Sequence, residues 1–244
     1  MNKTISRIQI FGERCSGTNY LETLLANNLR SAPVCWDYGF KHFFPQAKLD
    51  DSSDCLFIII YRHPLDWLRS LYRNPWHAAP GLRNISFPEF IRREWWCVWD
   101  EHAGISRRDS RYGSEMMMER CPETGSRFRD VLQMRTAKIR AWESIRDEAK
   151  HSFYINYERL REDPEKIIRM IARDFNIQAT PEFKDARHYK GRKWYQGWRT
   201  RLLRKALPEI SGGDLQYIMT RLDAGLERKI GYDINTPGLE NRAD

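Results

Sequence analysis

Seven consecutive apolar residues, CLFIIIY at 55–61, constrain the fold of this chain more than any other stretch. The run is far too short to cross a bilayer, which needs about 20 apolar residues. An unbroken apolar run bounded by turn signals is typical of a strand covered on both faces in a parallel sheet. RIQIF at 7–11 and SFYINY at 152–157 are two further strand candidates. These runs together predict a buried, mostly parallel sheet.

Helical patterns follow each of these strands. The helices are expected over residues 18–30, 65–73, 127–150 and 164–175. Asp163 and Pro164 form a start signal for the last one, because aspartate caps a helix and proline fits its first turn. A short strand is expected around 34–36. Strands that alternate with helices indicate βαβ units, so we expect a single α/β domain over 1–244, with a central sheet flanked by helices.

The stretch 74–126 has a different composition. It contains Pro75, Pro80, Pro88 and Pro122, together with Trp76, Trp95, Trp96 and Trp99. We interpret it as a helical insertion over the acceptor side of one end of the sheet, where specificity elements tend to lie. For Trp95, Trp96 and Trp99 the favoured interpretation is packing, as the aromatic face of a buried helix.

Charge and cysteine content narrow the partners and the compartment. The net charge is +8, and residues 186–206 hold eight Lys or Arg and no acid. This segment favours an anionic partner such as nucleic acid, a membrane surface, or a phosphorylated or sulfated small molecule, although a solvated basic helix face explains the charge equally well. Five scattered cysteines form no metal-type cluster. With no signal-peptide pattern and no transmembrane segment, we expect a cytoplasmic protein with reduced thiols.

The sequence GERCSGTNYLETLL at 12–25 predicts a loop that opens a helix. Such a loop directs backbone N–H groups and the positive end of the helix dipole toward one point, which suits a phosphate. Ser16 and Thr18 add hydroxyl donors, Gly17 permits close approach, and Asn19 is expected to help cap the helix. An ordinary strand-to-helix turn is equally compatible. The loop lacks the Gly-Lys-Ser/Thr ending of a nucleoside triphosphate site.

A second phosphate signal, YRHPLDWLRSLY at 61–72, directly follows the strand 55–61. Arg62 at the end of the strand can bind a phosphate through two charge-assisted hydrogen bonds, and Ser70 on the next helix can complete the site. The alternative is a local pair between Arg62 and Asp66.

These two motifs together resemble the sulfotransferases that use 3′-phosphoadenosine 5′-phosphosulfate (PAPS), and most closely a bacterial-type branch of that family. INYERLREDPEKIIRMIARDFNI at 155–177 resembles a third family element, a strand, turn and helix. The three motifs cover about half of the chain, in the family's order. The resemblance implies a P-loop-NTPase-like sulfotransferase fold, PAPS as the donor and no metal.

The resemblance also implies which residues bind the nucleotide. These are Arg14, Cys15, Ser16, Gly17, Thr18 and Asn19 around the 5′-phosphosulfate, Arg62 and Ser70 at the 3′-phosphate, Tyr157 against adenine, and Lys190, Gly191 and Arg192 in the basic segment 186–206 that closes over the 3′-phosphate. Cys15 occupies the position where many members carry a lysine, so Arg14 or another cation must replace that charge. Tyr157 has an alternative role as a core residue that ends a strand. The spacing around residues 190–192 departs from the family pattern.

YGFKHFFP at 38–45 resembles the family's Lys-x-His-x-Pro segment, although Lys41 and His42 are adjacent here. An imidazole suits the deprotonation of an acceptor hydroxyl, and an ammonium suits the charge that develops on the leaving phosphate. We therefore expect His42 to be the general base and Lys41 the leaving-group cation. A structural role for His42 is the alternative, His63 is a rival base, and His77 is a weaker candidate, as a residue lining the acceptor site.

Three other functions stay open from the sequence. A P-loop kinase would need a loop lysine and a magnesium-binding Asp after a buried strand, and the strand 55–61 continues into RHP instead. A nucleic-acid-binding protein would use the basic, aromatic segment 188–205, but no nucleic acid is expected if that segment serves the nucleotide. A non-catalytic relative that binds PAPS is the third. A carbohydrate or glycolipid acceptor is favoured over a phenol, peripheral membrane contact is compatible, and no oligomeric state is indicated.

Overall fold

The computed structural model describes residues 4–186 and 206–234, which group into two compact units. The first unit comprises the described residues of Met1–His63 and Ala141–Arg204, and the second those of Pro64–Arg140 and Lys205–Asp244. The single domain over 1–244 stays a prediction beside this division.

The first unit contains a sheet of four parallel strands. They are β1 (Arg7–Gly12), β2 (Val34–Cys35), β3 (Cys55–Tyr61) and β4 (Ser152–Asn156), in the order β2-β1-β3-β4. In the central pair, Ile8 of β1 lies opposite Leu56 of β3, and Ile10 lies opposite Ile58. The predicted α/β class, with a parallel sheet and flanking helices, is therefore confirmed.

The four predicted helices are present with shifted ends, and the described ranges contain four further helices that the sequence pattern did not predict. The helices of these ranges are α1 (Thr18–Asn28), α2 (Pro64–Arg73), α3 (Phe87–Phe90), α4 (Val131–Glu148), α5 (Tyr157–Glu162), α6 (Pro164–Asp174), α7 (Gly212–Arg221) and α8 (Ala224–Lys229). α1 ends before the predicted residue 30 because Leu29 is extended, with φ −114°. α4 begins after the predicted residue 127 because Phe128 pairs with Trp95 in a β-bridge. Asp163 caps α6 as predicted, accepting a hydrogen bond from the Lys166 N–H at 3.0 Å.

Both faces of the sheet are covered, which explains the apolar strands. On one face, Ile10 and Ile58 form an apolar cluster with Leu24 of α1 and Ile171 of α6. On the other face, the ring of Phe11 stacks at 6.5 Å from that of Phe57 and at 6.4 Å from that of Trp142 in α4. Because all seven residues of β3 are buried, no polar alternation is possible in this strand.

In the second unit, regular structure is sparse between α2 and α4. The predicted helical insertion 74–126 contains the four-residue helix α3 and three short 3₁₀ turns, at Pro80–Leu82, Glu101–Ala103 and Met117–Glu119. Isolated β-bridges join Ala78 to Cys97 and Val98 to Glu115. Its placement on the acceptor side stays a prediction.

The tryptophans of this segment serve packing, as favoured from the sequence, but the helix expected for them was wrong. Trp95 is buried, and its backbone N–H donates to the Phe128 carbonyl at 2.7 Å. Trp96 and Trp99 are half-buried, each with an arginine guanidinium against its ring. The backbone N–H groups of Trp95 and Trp99 bond to the distant Phe128 and Ser114 carbonyls, so extended pairing takes the place of helical hydrogen bonds here.

Ion pairs lie inside the second unit. Arg135 on α4 donates twice to Glu227 on α8, at 2.6 and 2.8 Å, and both side chains are buried. Lys138, one turn further along α4, forms a buried ion pair with Glu119. These bidentate and charge-assisted contacts connect α4 to α8 and to the insertion.

Candidate functional site

The loops that carry most of the predicted site residues follow the carboxyl ends of the four strands. β1 runs into residues 13–17, β2 into 36–42, β3 into Arg62 and His63, and β4 into Tyr157. In a parallel sheet these ends share one edge, and ligands of open α/β sheets bind outside that edge. Sequence-distant residues of the first unit are thereby brought together.

The loop at 13–17 forms a tight turn before α1. The Ser16 N–H and hydroxyl both donate to the Glu13 carbonyl, at 3.1 and 2.6 Å. Cys15 and Gly17 have positive φ angles of 65° and 92°. Gly17 is the residue before α1, and no side chain caps that helix. The turn thus directs the amino end of α1 toward the edge of the sheet, as an anion site requires.

Asn19 does not cap α1, in contrast to its expected role. Its side-chain oxygen accepts a hydrogen bond from the Lys41 ammonium. Asn19 lies inside the first turn of α1, so its side chain projects away from the helix end toward the segment after β2.

Gly17 is required because the Tyr157 ring packs directly on the loop backbone. A Cβ atom at position 17 would lie 2.3 Å from Cδ2 of Tyr157, well inside van der Waals contact. Tyr157 directly follows β4 as the first residue of α5, and it packs against the apolar core cluster, so its alternative role as a core residue stays open. Its half-buried ring connects β4 to the loop after β1.

Arg62 completes this contact between three elements. Its Nη1 donates to the Cys15 carbonyl at 2.8 Å, and its guanidinium carbon lies 4.8 Å from the Tyr157 ring centroid. The charge-assisted bond holds the strained Cys15 peptide, and the cation–π contact holds the ring. Asp66, which the sequence offered as the alternative partner of Arg62, lies on α2 in the second unit. There, Nη1 of Arg69 lies 3.8 Å from Oδ1 of Asp66.

The segment after β2 places His42 beside the start of the loop. Nδ1 of His42 lies 2.7 Å from the Gly12 carbonyl, and the Gly12 N–H donates to the Lys41 carbonyl at 2.9 Å. Because a carbonyl oxygen only accepts, Nδ1 carries the hydrogen, and in the neutral ring Nε2 holds the lone pair. This tautomer is the one that a general base acting through Nε2 needs.

Lys41 is held against α1. Its Nζ donates to Glu22 Oε2 at 2.6 Å and lies 5.3 Å from the centroid of the Trp36 ring. The ammonium is thus neutralised by a carboxylate. A role at a leaving phosphate would require Lys41 to exchange Glu22 for that phosphate.

The other predicted residues are distributed as follows. Arg14 and Thr18 are buried in the same loop and helix start. The rival base His63 is buried, and its backbone N–H donates to Glu158 Oε1 on α5 at 2.9 Å. Ser70 lies on α2 in the second unit, and its role stays a prediction. Lys190, Gly191 and Arg192, and most of the basic segment 186–206, lie outside the described residues.

His77, the weaker candidate, has a structural environment in the second unit. Its Nδ1 lies 2.8 Å from Oδ1 of buried Asp100, whose other oxygen accepts from Arg83 at 2.9 Å. Asp100 also accepts the His102 N–H at 3.1 Å and so caps a 3₁₀ turn. The Asp100 carboxylate thereby connects His77, Arg83 and the 3₁₀ turn at Glu101–Ala103 within the insertion.

Three residues of the first unit that the sequence interpretation missed contact the predicted ones. They are Glu22, which binds Lys41, Trp36, which lies against it, and Arg161, whose Nη1 donates to the Tyr157 hydroxyl at 3.2 Å. Helical spacing carried a signal for two of them, because Glu22 lies one turn after Asn19 and Arg161 one turn after Tyr157.

Within residues 4–186 and 206–234, no group of three or more His, Cys, Asp or Glu side chains could hold a metal ion. None of the helices in these ranges is long and apolar enough to cross a membrane. No protein-family model matches the chain, and a search of curated proteins returns no match.

Proposed function

We propose that this protein is a sulfotransferase that moves the sulfuryl group of PAPS to an acceptor hydroxyl. The observation that carries the proposal is the three-way contact of the Cys15 loop, Arg62 and Tyr157. These residues belong to the three motifs on which the family resemblance rests, and they meet at one edge of the sheet.

The residues present fit a nucleotide with a phosphorylated ribose. The amino end of α1 and the hydroxyl of Thr18 suit the 5′-phosphosulfate, and the Arg62 guanidinium suits a phosphate dianion. Tyr157 presents a ring for the adenine. When bound, PAPS supplies the sulfuryl group, and its 5′-phosphate keeps the electron pair of the S–O bond that breaks.

His42 acts as the general base in this proposal. As the acceptor oxygen forms its bond to sulfur, Nε2 of His42 takes the hydroxyl proton, and the Nδ1–H···O bond to Gly12 stabilises the resulting imidazolium. Lys41 leaves Glu22 and neutralises the charge that develops on the departing phosphate. The loop N–H groups contribute to the same task.

The remaining parts of the proposal concern the acceptor and the compartment. We place the reaction in the cytoplasm, with a carbohydrate or glycolipid hydroxyl as acceptor, no nucleic-acid partner, and peripheral membrane contact where the acceptor is a lipid.

Calorimetric titration with 3′-phosphoadenosine 5′-phosphate (PAP), ATP with Mg²⁺, and AMP tests the nucleotide site. We expect PAP to bind most tightly and Arg62→Ala to weaken it about 10- to 100-fold, the effect of one charge-assisted contact. The control is Arg30→Ala, which removes an exposed arginine just beyond the other end of α1. Preference for Mg·ATP would support a kinase instead, and salt-sensitive binding of arbitrary oligonucleotides would support a nucleic-acid-binding protein.

Turnover of PAPS tests the base. His42→Asn keeps an N–H donor for the Gly12 carbonyl but has no basic nitrogen, so turnover should fall about 10²- to 10⁴-fold. The affinity for PAP should stay within about threefold, because the fold and the loop are retained. PAP binding by the wild type without any turnover would identify a non-catalytic relative.

A further inference from the structure

Trp36 lies at the same edge of the sheet as the candidate site. It is the first residue after β2, and 41% of its surface is exposed. The large hydrophobic side chains exposed within residues 4–186 and 206–234 are Trp36, Met117, Met118 and Leu207. Trp36 is the aromatic residue among them. A single exposed apolar side chain is common, so its neighbours must decide whether it has a function.

The neighbours of Trp36 connect it to the proposed base. The Gly39 N–H donates to the Trp36 carbonyl at 3.1 Å, which folds residues 36–42 into a turn. Within this turn, the Trp36 and Phe40 ring centroids lie 5.9 Å apart, and Phe40 packs edge-on against His42 at 5.1 Å. The exposed indole and the imidazole thus stand at the two ends of one short aromatic row.

The charged groups near the indole are paired. Lys41, over the Trp36 ring, is paired with Glu22, and Arg7 is paired with Asp37 at 2.6 Å and with Asp54 at 2.9 Å. The side chains of Glu22 and Asp37 are 35% and 53% exposed, so they remain accessible to solvent. Two cations and three anions leave no surplus positive charge for an acidic acceptor.

We propose that Trp36 is the acceptor platform and that the acceptor is an uncharged sugar ring, an inference that rests on the proposed sulfotransferase activity. The C–H face of a sugar can stack on the indole, while its hydroxyl groups donate to the carboxylates of Glu22 and Asp37. An open platform of this kind suits a glycoside. A phenol needs a more enclosed, mostly apolar pocket. The hydroxyl that reaches His42 receives the sulfuryl group.

Transfer of radiolabelled sulfate from PAPS to three probes tests the acceptor class. The probes are octyl β-D-galactoside (uncharged), octyl β-D-glucuronide (anionic) and 2-naphthol (phenolic). We expect transfer to the galactoside, with a KM that Trp36→Ala raises about tenfold and Trp36→Phe raises less than about threefold. The control is Met118→Ala, which removes an exposed side chain of the second unit and should behave like the wild type.

PAP affinity separates the possible failures. Trp36→Ala should bind PAP as the wild type does, which also shows that the variant is folded. A different result is that the wild type binds PAP and yet transfers sulfate only to 2-naphthol, only to the glucuronide, or to none of the probes. Each of these results would make the inference about Trp36 wrong while leaving the proposed nucleotide site supported. A galactoside KM that Trp36→Ala does not change also overturns it. If the wild type does not bind PAP, the proposed function fails and takes this inference with it.

Discussion

The two units differ in where their charged side chains lie within the unit. In the first unit, Arg62, Lys41 and His42 lie on loops at the carboxyl edge of the sheet, above an apolar, isoleucine-rich core. In the second unit, charged side chains lie in the interior as closed pairs, such as Arg135 with Glu227.

This contrast follows from the amount of regular structure in each unit. A parallel sheet with helices on both faces satisfies its backbone internally, so polar side chains are free to gather where the strands end. The chain between α2 and α4 has few regular hydrogen bonds, and the buried ion pairs connect its turns to α4 and α8. In this chain, buried ion pairs connect the turns of the second unit, whereas Arg62, Lys41 and His42 of the first unit lie at the edge of the sheet where the site is proposed.

The largest expected effect is on the buried pair of the second unit. Arg135→Met leaves the Glu227 carboxylate buried without its bidentate partner, and we expect the free energy of unfolding to fall by about 3–5 kcal/mol. Urea denaturation measures this change. The double variant Arg135→Met/Glu227→Leu removes both charges and should recover most of the loss. A double variant as unstable as the single one would show that the pair itself, and not the stranded charge, carries the stability.

The next effect concerns the loop of the first unit. Gly17→Ala places a Cβ against the Tyr157 ring at a φ of 92°, and we expect about 1–3 kcal/mol of destabilisation together with at least about tenfold weaker PAP binding. Calorimetry and denaturation measure the two effects. The matched control is Gly81→Ala, because no neighbouring atom lies within 4 Å of that added Cβ. Unchanged PAP affinity in Gly17→Ala would separate the loop from the nucleotide site.

The smallest effect is a pH dependence in the second unit. Hydrogen bonds from Arg120 and Arg127 lower the pKa of Glu115 from its ordinary value of 4.5 to about 2. A lowered folded-state pKa stabilises the protein fully above pH 4.5, less as the pH falls, and no longer below about 2. The unfolding free energies of the wild type and Glu115→Gln should therefore differ by about 1–2 kcal/mol at neutral pH and converge in acid.

Glu101 gives the control for this pH dependence. Arg107 lowers the pKa of Glu101 to about 2 as well, but that pair is exposed to solvent. Screening by water and salt should leave Glu101→Gln close to the wild type in stability. An effect of Glu101→Gln as large as that of Glu115→Gln would remove the distinction between exposed and interior pairs in the second unit.

The elements of the first unit were predictable because their signals are local. The run 55–61 had to be buried on both faces, and Asp163 before Pro164 had to begin a helix. The insertion was harder. Its tryptophans follow a spacing that is compatible with a helix, but Trp95 bonds to Phe128, more than thirty positions along the chain. No local pattern carries that information.

The site shows the same limit. The loop at 12–17, Arg62 and Tyr157 were recognised in three separate motifs, yet Asn19 was expected to cap α1 and instead accepts a hydrogen bond from Lys41. Trp36 gave no sign of its contact with Lys41, and for Glu22 the sequence offered only the helical spacing from Asn19. Glu22 and Lys41 lie on different elements, so their contact follows from how α1 and the segment after β2 are placed and not from either segment alone.

The sequence by itself determined the class of this protein, an α/β chain with a parallel sheet, because burial pattern and helix start signals act over a few residues. The tertiary structure alone decided that Arg62 binds the Cys15 carbonyl, that Tyr157 covers Gly17 and that Lys41 is neutralised by Glu22. These contacts depend on strand order, which brings the carboxyl ends of distant strands to one edge. The free energy of each of these contacts depends on that geometry, and the order of residues along the chain does not contain this information.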